Sequence, residues 1–184
     1  MIIRYSYRIV KGYSLFTGKA ACGIVFEGGE KMIYLLCGKA GSGKTTLARK
    51  IACPMLSCDE LVIRLFGHYL GEKHSEITEK CTAYLLDQAA ALHEKGCDVA
   101  LDFGFWTKKS RDKVREFFDK CKIPTSLWYL CPREELRCAR LEERNEKIRE
   151  GKIPDSFTIG SEFREILDAR FEEPEKDEID VLFC

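Results

Sequence analysis

The stretch Ile33-Tyr34-Leu35-Leu36-Cys37-Gly38-Lys39-Ala40-Gly41-Ser42-Gly43-Lys44-Thr45-Thr46 decides the fold. An apolar run of strand character passes into a glycine-rich turn, and Leu47-Ala48-Arg49-Lys50-Ile51 resumes as a helix. Gly38 to Thr45 match G-x-x-x-x-G-K-[ST] without a mismatch, in the strand-turn-helix context that this pattern requires. Gly38, Gly41 and Gly43 allow positive φ angles and a close approach of the backbone to an anion, so that successive N–H groups converge. A helix opening near Gly43 adds its unpaired N–H groups and the positive end of its dipole. The nine residues Gly38, Lys39, Ala40, Gly41, Ser42, Gly43, Lys44, Thr45 and Thr46 are therefore the expected nucleotide-phosphate loop. Lys44 is expected to reach the β and γ phosphates, and the Thr45 hydroxyl to ligate magnesium. A merely structural turn is disfavoured, because a lysine at a helix N-terminus is electrostatically unfavourable without an anion.

Composition narrows the setting. The chain has 184 residues, enough for one domain with a full core, and 45% of them are hydrophobic. Thirty Lys and Arg balance 30 Asp and Glu, so no global basic field draws in nucleic acid and any polyanion must be recognised locally. No apolar run approaches the roughly 20 residues of a membrane span, and the first residues lack the apolar segment of a signal peptide. A cytoplasmic protein is the expectation. Ten cysteines without a CxxC spacing, most of them inside apolar runs, read as free reduced thiols rather than a disulfide scaffold. His68 and His74 near Cys58 lack zinc spacing.

Residues 1–31 differ from the rest. Ile2 to Val10 partly alternate and Gly23-Ile24-Val25-Phe26 is β-prone, which suits a hairpin or an added edge strand. Phe26 to Lys31 also imply a purine-rich coding run directly before the codon for Met32, like a bacterial ribosome-binding site that has been translated. The expectation is an N-terminal extension, 1–31, and a folded domain, 32–184.

From Met32 onward, β-type segments at 33–37, 55–58, 97–102, 126–131 and 179–183 alternate with helical patterns at 43–52, 60–66, 75–95, 108–121, 132–150 and 160–171. This alternation predicts an α/β fold of three layers, with a five-stranded parallel sheet between helices and right-handed crossovers. Ligands of such sheets bind at the carboxyl ends of the strands. Asp59, after the second strand, then faces the crevice of the loop, where it either takes a proton from an attacking hydroxyl or caps the helix 60–66. Asp102 ends an apolar strand, as a Walker B aspartate does, and is a candidate for holding magnesium or orienting an acceptor. Phe103-Gly104-Phe105-Trp106 lines an acceptor pocket or joins the core, and Thr107 caps the next helix. Arg140 and Arg144 are four apart on one helical face, along with Arg137 at neighbouring spacing, and two guanidinium groups there can reach one phosphate chain. Ion pairing with Glu142, Glu143 and Glu146 is the competing role. Gly151-Lys152-Ile153-Pro154 breaks that helix and suits a lid hinge.

GKAGSGKTTLA, LSCDELVIRLFG, LDFGFWTKKSRD, ARLEERN and RFEEPEKDEIDV together resemble the small P-loop kinases related to polynucleotide kinase, zeta toxin and chloramphenicol phosphotransferase. The resemblance spans nearly all of Met32 to Cys184. It implies a kinase-like P-loop fold with a helical lid and ATP-dependent transfer of a γ-phosphate to a hydroxyl. In that reading Lys44 and Thr45 contact phosphate and magnesium, Asp59 is the base, Asp102 is the acidic strand-end residue, and Arg140 and Arg144 are lid arginines. ATP with Mg2+ and a hydroxyl-bearing acceptor are the implied partners. One position departs from the polynucleotide kinases: three residues after the base they carry an arginine that binds the acceptor's phosphate, whereas this chain has Val62, with Arg64 nearest. A small-molecule acceptor is therefore expected ahead of a nucleic acid.

Overall fold

The computed structural model describes residues 7–9, 30–68, 70–153 and 157–184. Its elements run β1 (Tyr7–Ile9), β2 (Ile33–Cys37), α1 (Lys44–Ala48), β3 (Met55–Ser57), α2 (Cys58–Phe66), α3 (His74–Glu94), β4 (Val99–Gly104), α4 (Lys108–Lys120), β5 (Thr125–Leu130), α5 (Glu134–Arg149), α6 (Ser161–Ala169) and β6 (Val181–Phe183). The strands form one sheet in the order β1-β6-β5-β2-β4-β3. Five are parallel, and β1 adds an antiparallel edge, Arg8 opposite Leu182. Of the N-terminal extension, Tyr7–Ile9 thus takes the edge-strand alternative, while Gly23 to Phe26 lie outside the described residues.

β2 is central, with Leu35 opposite Leu101 of β4 and Leu127 of β5. It is covered on both faces, which is why all five of its residues are apolar and buried. Ile33, Leu35 and Cys37 face Leu86 and Ala89 of α3 and Val114 and Phe118 of α4. Tyr34 and Leu36 face Leu47 and Ala48 of α1 together with Trp128 and Phe183. Each fully buried leucine or isoleucine contributes about 1.5–3 kcal/mol. The sheet is thereby fixed as the middle of three layers.

Several boundaries depart from the sequence expectation, and two of them bear on the site. The first helix spans only Lys44–Ala48 rather than 43–52. Gly43 is left-handed, at φ 101°, and stands outside it as the N-cap. Pro54 lacks an N–H and holds its predecessor extended, so the chain must leave the helix early to enter β3. The β4 strand covers Val99–Gly104 rather than 97–102. Asp98 stays below the ladder, where its carboxylate accepts from Met32 N at 2.9 Å and pairs with Lys31 at 3.1 Å.

The acidic segment after α6 is anchored by a buried ion pair. Arg111 of α4 donates from Nε and Nη2 to the two carboxylate oxygens of Glu178, both at 3.0 Å, and Arg115 Nη1 reaches Glu178 Oε1 at 2.9 Å. The Arg111 and Glu178 side chains are 1% and 5% exposed. Arg111 Nη1 also donates to the carbonyls of Phe105 and Glu172, so one guanidinium ties α4, the β4 exit and the 172–178 segment together. Burial alone would raise the Glu178 carboxyl, but hydrogen bonds from Arg111, Glu175 N and Arg115 outweigh it and hold it at about 2. A carboxylate with a lowered folded-state value stabilises above its unfolded value and loses that contribution as pH falls through the folded one. Glu178→Gln should therefore cost about 3 kcal/mol near neutrality, a Tm fall of roughly 6–12 °C, and flatten the acid limb of stability between about pH 4.5 and 2. Thermal melts across pH on both chains provide the check.

Candidate nucleotide and phosphoryl-transfer site

The loop between β2 and α1 turns within very little space. Gly38, Gly41 and Gly43 have φ of 152°, 79° and 101°. A Cβ on Gly38 would stand 2.5 Å from the Leu130 carbonyl oxygen, and one on Gly41 would stand 2.7 Å from Leu141 and 2.8 Å from the Arg137 carbonyl. Close approach as well as backbone sign thus requires glycine at these two positions. The Lys44 ammonium folds across the loop and donates to the Gly38 and Lys39 carbonyls at 2.7 and 3.0 Å. Thr45 and Thr46 are exposed at the start of α1.

Sheet register brings the two candidate carboxylates beside this loop. Ser57 at the end of β3 pairs with Asp102 of β4. In the β2–β4 pairing Leu35 faces Leu101 while Cys37 faces Gly104, so Asp102 and Phe103 together oppose Leu36. Such a one-residue bulge re-aims side chains. Asp102 meets the Thr45 hydroxyl, which donates to Asp102 Oδ2 at 2.5 Å. The strand continues two residues beyond Asp102, so the acidic residue is set at the bulge and not at the strand end.

Asp59 is not the cap of α2. Ser57 holds that place, its hydroxyl accepting from Glu60 N at 3.3 Å. Asp59 lies in the first turn, still reached by water although protein surrounds it on most sides. That shielding raises its carboxyl above the ordinary range, Asp102 pushes the same way, and Lys44, His74 and Arg144 oppose them. Burial lowers Lys44 against the pull of Asp102, and burial lowers Arg144 against Asp59 and Asp102. Lys44, Asp59, Asp102 and Arg144 therefore form one electrostatic group of two cations and two carboxylates.

The two lid arginines divide their contacts. Arg140 Nη1 donates to the Ser42 carbonyl at 3.0 Å, which places it on the loop itself. Arg144 Nη2 reaches the Phe157 carbonyl at 3.4 Å, and its buried Nε has no hydrogen-bond partner among the described residues. Asn145 fastens the returning chain by exchanging two hydrogen bonds with the backbone of Ile159, at 2.7 and 3.1 Å. Gly151 has φ 71°, whereas Pro154 lies outside the described residues.

The aromatic run belongs to the core. Phe105 is 2% exposed within the cluster that contains Ile33 and Phe118, Phe103 and Trp106 pack against it, and Trp106 meets Phe171 edge-on. Phe105 is thus a core residue, while Phe103 and Trp106 pack against the core with part of their surface open to solvent. Thr107 does cap α4, in a reciprocal box with Ser110. A cavity of about 160 Å³ lies behind the loop, bounded by Lys39, Ser42, Tyr129, Pro132 and Arg137. It is separate from the group around Asp59. Sequence reasoning gave Arg137 no contact of its own, and only its helical spacing from Arg140 hinted at a place beside the loop.

The fold is that of a P-loop α/β domain: a parallel sheet with the glycine-rich loop at its centre, Asp102 at a bulge of the adjacent strand and Asp59 in the first helical turn after the strand beyond it. The chain belongs to the AAA domain family, AAA_33, whose family model matches residues 33–170. No protein of curated function matches it in sequence. Among solved structures it is similar to a chain of the Pnkp1/Rnl/Hen1 RNA repair complex, at TM-score 0.61 and 19% identity over 84% of this chain and 46% of that one. It is also similar to Kti12 of Chaetomium thermophilum, solved with ADP-AlF3, at TM-score 0.54 and 18% identity over 78% and 81% of the two chains. A gluconokinase of Sinorhizobium meliloti 1021 has TM-score 0.53 and 17% identity over 79% and 77%. These likenesses establish the fold. No helix among the described residues is long and apolar enough to cross a membrane.

Gly38→Ala should strain the loop by about 1–3 kcal/mol and weaken nucleotide binding at least tenfold. Titration with a fluorescent ATP analogue measures it.

Proposed function

We propose that the chain is an ATP-dependent phosphotransferase that moves the γ-phosphate to a hydroxyl of a small-molecule or nucleotide-like acceptor. The observation that carries this reading is the grouping of Lys44, Asp59, Asp102 and Arg144 at the carboxyl edge of the sheet, beside the phosphate loop. Asp59, reached by water and raised by its shielding, is suited to receive the proton of an acceptor hydroxyl as its oxygen bonds to phosphorus. Lys44 and Arg144 neutralise charge on the transferring phosphoryl group, which is where P-loop catalysis chiefly acts. The unpartnered Arg144 Nε fits an anion there. Thr45 and Asp102 would hold magnesium: adjacent hydroxyl and carboxylate oxygens are the hard donors that ion takes. When bound, the ion supplies further neutralisation of phosphate charge.

A small acceptor is favoured over a polynucleotide. Val62 is 2% exposed in the α2–α3 contact with Cys81 and Leu85, while Arg64 points to water and pairs with Glu60 at 2.7 Å. No arginine of α2 is thus directed at an acceptor phosphate. The zero net charge agrees.

The test is a γ-phosphate transfer screen over nucleosides, oligonucleotides, sugars and aminoglycosides, with Lys44→Ala as the blank. Transfer to an alcohol supports the proposal. Failure on every class, with ATP hydrolysis indifferent to Asp59→Asn, would instead identify a nucleotide switch. Once an acceptor is found, Arg144→Ala should lower kcat about 10³- to 10⁵-fold with little change in ATP affinity. The acid limb of kcat/KM should lie above the ordinary carboxylate range, rising with pH as Asp59 loses its proton, and should vanish in Asp59→Asn. Steady-state kinetics across pH read both outcomes.

A further inference from the structure

Arg137, in the first turns of α5, is 2% exposed, and its guanidinium is saturated. Nε and Nη2 bond the two carboxylate oxygens of Glu134, at 2.9 and 2.6 Å. Nη1 and Nη2 bond the carboxylate of Asp168 on α6. The remaining direction of Nη1 is spent on the phosphate loop, where it donates to the Ala40 carbonyl at 3.1 Å. This contact lies at the crown of the turn. Gly41, the next residue, is packed against the Arg137 carbonyl, and Arg140 one turn on holds the Ser42 carbonyl.

A second link joins the same two parts. Lys39 Nζ stands 5.9 Å from the ring centroid of Phe171, three residues after Asp168. Residues 39 to 42 are therefore held from behind by α5, by Asp168 near the end of α6 and by Phe171 just beyond that helix. A phosphate loop binds only when its N–H groups point inward, so carbonyls held outward set the orientation of the peptide planes between them.

We propose that Arg137 is a positioning residue for the nucleotide loop, bridging the Ala40 carbonyl to Asp168 so that the α5–α6 pair sets the loop's affinity for nucleotide. The inference rests on the nucleotide-binding reading of that loop. It assigns α6, which carries none of the candidate catalytic residues, a part in nucleotide affinity.

Arg137→Lys separates positioning from packing. An ammonium keeps the charge facing Glu134 and Asp168 but cannot reproduce a planar fork that also reaches Ala40. Titration of the full chain with a fluorescent ATP analogue in magnesium buffer, beside thermal melts without nucleotide, reads both properties. Arg137→Lys should raise Kd about tenfold, the worth of one charge-assisted hydrogen bond, with a melting temperature close to the parent's. Asp168→Asn, which leaves the guanidinium in place but loosens it, should raise Kd by a smaller factor, about threefold. A parental Kd in both folded variants would overturn the proposal. So would affinity losses that merely follow the loss of stability. A parent chain that binds no ATP would overturn the nucleotide reading itself, and this inference with it.

Discussion

The Gly38 backbone lies against the carbonyl of Leu130, with no room for a side chain between them. Everything else at the site depends on that closeness. The β2 strand must exit the centre of the sheet and turn at once, inside the width of one strand spacing, if α1 is to return over the face carrying Tyr34 and Leu36. The turn lies at the carboxyl edge of the sheet, which is where parallel sheets bind ligands. Because β4 and then β3 lie on one side of β2 and β5 on the other, Asp102, the start of α2 and the helix that follows β5 are all delivered to this edge.

What emerges is electrostatically balanced but locally uneasy. Two carboxylates and two cations share a region shielded enough to raise Asp59 and lower Lys44 and Arg144. Shifts in these directions mean that each charged form is held at a cost, one that a phosphate anion beside the two cations and a proton received by Asp59 would relieve. The Thr45–Asp102 hydrogen bond gathers oxygen donors on one side of this group, and Arg144 supplies a buried N–H on the other. The arrangement suits phosphoryl transfer because that chemistry requires positioning and neutralisation more than covalent help.

The stability of this edge comes from behind it. Arg111 and Glu178, both buried, close the segment after α6 onto α4. The same segment carries Phe171, which meets Lys39 of the loop. In this way the FWTKKSRD and EEPEKDEID stretches, which carry no candidate chemistry, hold the loop's surroundings in place. The partners of this buried ion pair cannot be exchanged singly without leaving a charge uncompensated.

The sequence by itself determined the P-loop, the five parallel strands and Thr107 as a cap, and it nominated Lys44, Asp59, Asp102, Arg140 and Arg144 as site residues. These rest on local rules: glycine conformations, apolar alternation and the ends of apolar runs. Only the tertiary structure decided which groups meet. Ser57 rather than Asp59 caps α2, because capping depends on backbone geometry at one residue. Phe105 goes to the core, since a left-handed turn at φ 49° folds it inward, as composition could not show. Arg140 and Arg144, alike in helical spacing, part company because one turn of α5 lies behind the loop and the next faces Asp59. Arg137 and Asp168 are 31 residues apart in the chain, and nothing local signals their pairing. Side-chain partnership across elements follows from packing and register, and those are properties of the whole fold.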